Sequence, residues 1–133
     1  MKYMLDTNIC IYLIKRKPRH VVEKFREHVL GDIGVSSITV AELQYGVEKS
    51  QHQQQNQTAL DLFFAPLAIV DFDTGAAQHY GQIRTELEQS GIPIGAYDLL
   101  LAGHARSLAL TLVTNNIREF SRVSHLKIEN WVA

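Results

Sequence analysis

Short apolar runs alternate with amphipathic segments along this chain, and no other feature of the sequence constrains the fold as strongly. Between the runs, apolar residues recur at the spacing of a helix. Strands separated by helices pair in parallel through right-handed crossovers. The sequence therefore predicts an α/β fold of three layers, a central and mostly parallel β-sheet flanked by helices. The predicted strands are Tyr3–Leu5, Ile33–Ser36, Leu67–Val70, Leu110–Val113 and Leu126–Ile128, the last at an edge of the sheet.

Two of the intervening segments make the helix prediction specific. Val22, Phe25 and Val29 recur at i, i+3 and i+7, which predicts a helix that closes near Gly31. Residues Leu99–Leu108 are apolar nearly all round, which predicts a buried central helix. Helices of both kinds can cover the faces of a parallel sheet.

Length, charge and cysteine content exclude several classes of protein. The 133 residues contain no repeat and no long linker, so they are predicted to form a single domain, 1–133. Thirteen Lys and Arg against fourteen Asp and Glu leave a net charge of −1, so any contact with nucleic acid must be local. The one cysteine, Cys10, excludes an internal disulfide and a cysteine-rich zinc site.

No membrane partner and no secretion signal are expected. No apolar run reaches the ~18–20 residues that a membrane-spanning helix requires. Asp6 interrupts the start of the chain, where a signal peptide needs a longer apolar stretch. The cytosol is therefore the expected compartment.

Three acidic residues are placed where a parallel sheet gathers its ligands. Asp6 ends the first predicted strand, Glu42 lies in the predicted first turn of the helix after the second strand, and Asp98 lies in the first turn of the apolar helix. Carboxylates that share a pocket repel one another and need a cation to remain ionised. Oxygen ligands favour Mg²⁺, with Mn²⁺ as the alternative ion. Such ions support phosphodiester hydrolysis, because they activate water and neutralise charge on the phosphate.

Each acid also has a purely structural explanation. Asp6 can cap the helix that begins near Thr7. Glu42 completes a capping box with Thr39, which is the better explanation of that motif taken alone. Asp98 in a first helical turn is favoured by the helix dipole. The residues by themselves leave the structural and catalytic explanations open.

Five blocks of sequence are informative in combination. They are Met4-Leu5-Asp6-Thr7-Asn8, Ser36–Gly46, Ile94–Asp98, Ala102–Ala105 and Val113–Phe120. In this order, over essentially the whole chain, they resemble the PIN-domain ribonucleases and, within them, the VapC toxins of bacterial toxin–antitoxin pairs. The resemblance implies a PIN-like fold and a Mg²⁺-dependent endoribonuclease. It also implies a structured RNA substrate, with a tRNA anticodon stem-loop as the best candidate, a VapB-type antitoxin, a homodimer and a higher toxin–antitoxin assembly.

The resemblance also assigns roles to individual residues. Asp6, Glu42 and Asp98 match the acidic positions of the family's metal site and are the predicted catalytic residues. We expect one tightly held Mg²⁺ on Asp6 and Asp98, with Glu42 reaching it directly or through water, and a second ion arriving mainly with the RNA phosphate. The predicted supporting residues are Thr7, Asn8 and Thr114.

The sequence departs from the family pattern at the fourth acid. Many relatives carry an acid where this chain has Asn116, and Glu119 follows three residues later. Both are further metal-ligand candidates, since an amide oxygen can bind Mg²⁺ without contributing charge. Glu119 either turns into the cleft or is a surface acid paired with Arg118 or Arg122, and the surface pair is the favoured interpretation.

Two further groups of residues have both a structural and a functional interpretation. The cations Lys15, Arg16, Lys17 and Arg19 form either a solvated helix end, which is favoured, or a contact to RNA phosphates. Tyr97 and Trp131 could stack on bases, but packing in the core or at the end of the fold is favoured for both.

Two other functions are compatible with parts of the pattern. A haloacid-dehalogenase-like phosphatase also has an Asp after its first strand and a Thr-bearing second strand, which Val113–Asn115 mimics. Asn8 replaces the second Asp that such an enzyme needs, and only nineteen residues, 115–133, follow Thr114. A PIN-like module that binds RNA or protein without catalysis is the other alternative, but it would have no need to keep Asp6, Glu42 and Asp98 together.

Overall fold

Five parallel strands form one sheet in the order β3-β2-β1-β4-β5. The computed structural model describes residues 1–132. All five predicted strands are confirmed, with ends that shift by no more than one residue, and the fifth lies at an edge as predicted. The strands are β1 (Tyr3–Leu5), β2 (Ile33–Ser36), β3 (Ala68–Val70), β4 (Thr111–Val113) and β5 (Lys127–Glu129).

Helices connect the strands and cover the sheet. Of the helices within residues 1–132, none combines the length and apolar character needed to cross a membrane. The helices are α1 (Thr7–Lys15), α2 (Arg19–Arg26), α3 (Ser37–Glu48), α4 (Gln53–Phe64), α5 (Thr74–Gln89), α6 (Ala96–Ser107) and α7 (Ile117–Phe120), with a 3₁₀ turn at Leu30–Asp32.

The central strands bury side chains on both faces, which makes the fold three-layered. Leu5 and Val113 pack into a cluster with residues of α1 to α4. Their neighbours Met4 and Leu112 point the opposite way, into a second cluster built largely with α5 and α6. Successive side chains of a strand alternate between the two faces of a sheet, so a three-residue strand supplies both cores. The predicted α/β architecture is confirmed.

The strand order reverses beside β1. The chain runs outward from β1 through β2 to β3, and then returns to place β4 on the other side of β1. In sheets of this type, ligands bind at the carboxyl ends of the two strands where the order reverses. Asp6 and Thr114 are the residues that follow β1 and β4 at this point, and the Asp6 amide donates to the Val113 carbonyl at 2.9 Å.

A hydrogen bond joins the helices on opposite faces of the sheet. His104 of α6 is fully buried, and its Nδ1 lies 2.8 Å from the hydroxyl of Ser36, the residue that ends β2. Ser36 also caps α3, because its hydroxyl accepts from the Ile38 amide at 3.1 Å. The start of α3 is thereby tied to the C-terminal half of α6.

Two predicted helix ends are wrong. α2 ends at Arg26, not near Gly31, and Val29 is 70% exposed in an extended conformation. The chain leaves the helix early because it must turn into β2, and directly before that strand the Asp32 carbonyl accepts from the Lys2 amide at 2.8 Å. The buried central helix is confirmed as α6, but it ends before Leu108, which is 41% exposed.

Candidate active site

Asp6 is the buried centre of the candidate site. It follows β1, caps α1 and is 4% exposed. Its Oδ1 accepts from the Thr7 amide at 2.7 Å, and its Oδ2 accepts from the Thr114 hydroxyl at 2.8 Å. Burial raises the pKa of the Asp6 carboxyl, although both hydrogen bonds act in the opposite direction. The helix cap and a functional position are therefore combined in one residue.

Glu42 is held by α1 and not by a capping box. It is the sixth residue of α3, so its predicted place in the first turn is wrong, and Ser36 is the residue that caps the helix. The Thr7 hydroxyl donates to Glu42 Oε1 at 2.9 Å and lies 3.1 Å from the Thr39 hydroxyl. Burial raises the pKa of Glu42, and the charge of Asp6 adds to this effect, while the Thr7 hydrogen bond opposes it.

Asp98 lies in the first turn of α6, as predicted. The side-chain nitrogen of Asn116, Nδ2, lies 3.4 Å from Asp98 Oδ2 and 3.2 Å from Glu119 Oε2. The pKa of Asp98 is raised to about 7, first by burial, then by a hydrogen bond with the Glu119 carboxyl and by the charges of Asp6, Glu119 and Glu42. Burial and the neighbouring acids therefore disfavour the charged form of Asp98 when no cation is present.

The surface ion pair predicted for Glu119 is wrong. Among residues 1–132, neither Arg118 nor Arg122 forms an ion pair with it, and the Arg122 guanidinium instead donates to the Pro93 carbonyl at 3.2 Å. α7 begins directly after Asn116, and residues three apart lie on the same side of a helical turn. This turn brings Glu119 back beside Asn116 and Asp98.

Hydrogen bonds connect the four acids into one row at the carboxyl edge of the sheet. Thr114 is the central link, because its hydroxyl donates to Asp6 and accepts from the Asn116 backbone amide at 2.9 Å. Of the three predicted supporting residues, Thr7 and Thr114 are links in this row, whereas Asn8 is exposed beside it. The row runs in the order Glu42, Thr7, Asp6, Thr114, Asn116, and then Asp98 and Glu119.

The row carries negative charge without a neutralising side chain. The ion pairs found within residues 1–132 involve other acids, namely Asp32, Glu23, Glu27 and Glu88. The same residues contain no group of three acidic, His or Cys side chains already close enough to hold one ion together. A cation here would therefore take few protein ligands and keep water in its shell, which suits Mg²⁺. The uncompensated charge and the all-oxygen ligand set both fit a hard divalent cation.

A groove of about 750 Å³ opens at the Glu42 end of the row, between α1, α3 and α4. Lys15 lines it, whereas Arg16, Lys17 and Arg19 are exposed elsewhere, and Arg19 pairs with Glu23 at 3.0 Å. Only Lys15 of the predicted basic cluster therefore lies beside the site.

The two aromatic residues singled out in the sequence differ in their surroundings. Trp131 is 2% exposed and packs in the core, as predicted. Tyr97 is 56% exposed and lines the groove, so the core position predicted for it is wrong. Its position on the first turn of α6, directly before Asp98, leaves its ring outside the sheet-facing side of that helix.

Sequence reasoning missed two further residues of the groove. Tyr45, 66% exposed, and Lys49 line it, and the Lys49 ammonium lies 4.7 Å from the centre of the Tyr45 ring. Tyr45 lies on α3 and Lys49 directly follows it, at i+3 and i+7 from Glu42, which is the spacing of one helix face. That spacing is visible in the sequence and could have identified them once Glu42 was assigned to the site.

Comparison with known proteins identifies the family of the chain. The family model of the PIN domain matches residues 3–126. The "tRNA(fMet)-specific endonuclease VapC" of Shigella flexneri is 49% identical over 131 residues, which are 98% of each chain. "Ribonuclease VapC2" of Rickettsia felis is 50% identical over 132 residues, again 98% of each chain.

Solved structures share the whole fold. In the crystal structure of VapBC2 from Rickettsia felis bound to a DNA fragment from their promoter, one chain superposes with a TM-score of 0.91 at 49% identity. The alignment covers 98% of the present chain and 99% of that chain. The similarity therefore extends over the complete set of elements that position the acidic row.

Proposed function

Because the chain belongs to the PIN-domain family and is a VapC-type ribonuclease of that family, we propose that it is a Mg²⁺-dependent endoribonuclease toxin acting on a structured RNA. The observation that carries this proposal is the row of four carboxyl groups at the carboxyl edge of the sheet, which no basic side chain among residues 1–132 neutralises. Such a row is costly without a cation and effective with one.

Each residue of the row has a distinct part in this proposal. Asp6 and Asp98 would hold the ion, and Glu42 would reach it directly or through water. The Thr7 amide and the Thr114 hydroxyl fix both oxygens of Asp6, so this carboxylate is oriented before RNA binds. A divalent cation supplies charge neutralisation at the phosphate and activation of water for attack on phosphorus. Cleavage by this chemistry leaves a 5′-phosphate and a 3′-hydroxyl.

The substrate we propose is a tRNA, cut in its anticodon stem-loop. The Shigella flexneri relative is named for tRNA(fMet) and shares 49% of its residues with this chain over 98% of both lengths. An initiator tRNA is therefore the first RNA to examine. The enzyme would act in the cytosol, where its substrate is found.

The experiment that tests this function is expression of the chain from an inducible promoter, followed by sequencing of newly formed RNA ends. We expect one dominant cut within the anticodon arm of a tRNA, with a 5′-phosphate on the downstream fragment. Expression of the Asp6→Ala variant should produce none of these ends. Purified protein that cuts in the presence of EDTA, or that leaves 2′,3′-cyclic phosphates, would exclude the metal-dependent mechanism.

A VapB-type antitoxin is the partner we propose. The Rickettsia felis relative is found in a VapBC2 complex on promoter DNA. An antitoxin that presents a cationic segment to the uncompensated acids would be attracted strongly, since opposite charges interact well at partly buried sites. We further propose that the toxin is a homodimer and that two or more copies join a larger toxin–antitoxin assembly.

The two alternative functions are not supported. The PIN-domain match over residues 3–126 assigns the chain to a nuclease family and not to the phosphatases. The relatives with about half of their residues in common are named as an endonuclease and a ribonuclease, which argues against a module without catalysis.

The Asn116 end of the row gives a prediction about metal binding. Asn116→Asp adds a charge beside Asp98 and Glu119, so we expect Mg²⁺ to bind about tenfold more tightly or better. Glu119→Gln removes a charge and is expected to weaken both Mg²⁺ binding and RNA cleavage about tenfold or more. Isothermal titration with Mg²⁺ and initial cleavage rates measure the two effects.

The matched control is Glu88→Gln, because Glu88 is exposed on α5 and pairs with Arg84 away from the row. This variant should bind Mg²⁺ and cleave RNA as the unaltered protein does. If Glu119→Gln behaves like Glu88→Gln, Glu119 takes no part in the metal site. Two equally tight Mg²⁺ ions in the RNA-free protein would contradict the single-ion proposal.

A further inference from the structure

The charge and apolar character of the groove beside the acidic row change along its length. Thr7 and Glu42, which belong to the row, line the groove where α1 begins, whereas Lys15 ends α1 and Lys49 directly follows α3. The wall between them is largely apolar and includes Leu43. Lys49 directly follows α3, seven positions after Glu42, which corresponds to about 10 Å along the helix axis. A ligand that fills the groove must therefore suit an acidic end, an apolar middle and a cationic end.

Two tyrosine rings stand open at this groove. Tyr45 and Tyr97 are 66% and 56% exposed, and both line it. The Lys49 ammonium lies 4.7 Å from the centre of the Tyr45 ring, which places a cation against an aromatic surface. Exposed aromatic rings combined with cations are the usual means by which proteins bind unpaired nucleotides, because bases stack on the rings and phosphates pair with the cations.

We propose that this groove binds the unpaired nucleotides next to the cleaved bond, with one base stacked on Tyr45 and a phosphate held by Lys49 and Lys15. This inference rests on the proposed ribonuclease function and adds the residues that position the substrate. The 10 Å from Glu42 to Lys49 matches up to about three stacked nucleotides at ~3.4 Å each. Tyr97 precedes Asp98 in the chain and offers a second ring near the cut.

The two lysines give the groove the charge that a phosphate requires. A chain of phosphates is repelled by Glu42 and Asp6, so attraction must come from the far end, where the two lysines lie. Lys15 is the last residue of α1 and Lys49 directly follows α3, and both line the groove. The net charge of the whole chain is −1, so any contact with RNA must be local, as it is at this pair of cations.

The test is the steady-state cleavage of a synthetic stem-loop with the anticodon-arm sequence of tRNA(fMet). We expect Tyr45→Leu to raise KM roughly five- to 100-fold with kcat little changed, whereas Tyr45→Phe, which keeps the ring, retains the original KM. Lys49→Gln and Lys15→Gln should each raise KM about five- to tenfold and reduce the salt dependence of log KM by about one unit of slope. A merely structural role would not change the salt dependence.

The charge-matched control is Lys127→Gln, because Lys127 is exposed on the edge strand β5 and does not line the groove. This variant should leave KM and its salt dependence unchanged. The proposal is overturned if Tyr45→Leu and Lys49→Gln cleave with the KM of Lys127→Gln. It is also overturned if these variants cleave RNA normally and lose only their inhibition by a VapB-type antitoxin, since the groove would then be a peptide site.

Binding separates failure of this inference from failure of the proposed function. Fluorescence anisotropy of a labelled anticodon-arm loop strand is measured with the Asp98→Asn variant, alone and combined with Tyr45→Leu. If the unaltered protein cuts no RNA, but the loop strand binds and Tyr45→Leu weakens that binding at least fivefold, the groove proposal stands and the ribonuclease proposal fails. If the loop strand does not bind at all, the groove proposal fails whatever the outcome of the cleavage assay.

Discussion

The Asp98→Asn variant is expected to cleave RNA at least about 100-fold more slowly than the unaltered protein. Asparagine keeps the size of the side chain but removes the charge that would hold a cation, and loss of a metal ligand costs at least as much as the ~10–100-fold loss caused by removing an outer partner of a ligand. Initial rates on the tRNA(fMet) anticodon arm in Mg²⁺ measure the effect. Asp61→Asn on the exposed face of α4 is the matched control and should keep full activity.

The same substitution is expected to stabilise the protein when no metal is present. The pKa of Asp98 is raised to about 7 in the folded protein from 3.8, so the folded state retains a proton that the unfolded chain has lost. Between pH 4 and pH 7, the free energy of unfolding should therefore fall as the pH rises, because the charged carboxylate is disfavoured only in the folded state. Because the carboxyl is half-buried and screened, we expect an effect on the order of 1 kcal/mol at pH 7.

Urea unfolding, measured in EDTA and separately in Mg²⁺ without EDTA, gives the free energy of unfolding in the two states. Mg²⁺ should stabilise the unaltered protein at pH 7 and have much less effect on Asp98→Asn, since a ligand that binds only the folded state shifts the unfolding equilibrium. If the free energy of unfolding of the metal-free protein does not depend on pH between 4 and 7, the raised pKa of Asp98 is contradicted. Full cleavage activity of Asp98→Asn would remove it from the metal site.

The Gly103→Ala variant is expected to lower the free energy of unfolding by about 2–3 kcal/mol, because a methyl group has no room at this position. A Cβ at Gly103 would lie 2.7 Å from the backbone nitrogen of Tyr80, 2.9 Å from its Cα and 3.1 Å from the Ala76 carbonyl oxygen. These are backbone atoms of α5, so the contact can be relieved only by moving α5 away from α6. Urea denaturation at constant pH measures the loss.

Gly81→Ala is the matched control, since Gly81 lies on α5 and a Cβ there would meet nothing within 4 Å. This variant should be more stable by roughly 0.5–1 kcal/mol, because alanine favours a helix interior over glycine. Opposite signs for the two substitutions would separate helix preference from interhelical contact. Equal stabilisation by both would show that α5 and α6 do not pack closely at Gly103.

The sequence was sufficient for the elements and for part of the site. Apolar periodicity, strand ends and capping residues are local properties, and they predicted the five strands. They also placed Asp6 at the end of β1 and Asp98 at the start of α6. Local rules gave the wrong prediction where one sequence pattern had two possible explanations. The spacing of Thr39 and Glu42 matches a capping box, yet the Thr7 hydroxyl is the group that holds Glu42, from 35 residues away.

Only the tertiary structure determined which side chains meet. The strand order β3-β2-β1-β4-β5 brings the ends of β1 and β4 together, and Asp6 and Thr114 then bond across 108 positions of the chain. The direction of α7 brings Glu119 to Asp98 instead of to an arginine of its own helix. Periodicity records whether a residue faces a core, but the partner of a polar side chain depends on how whole elements pack, and that packing is decided by contacts between residues far apart in the sequence.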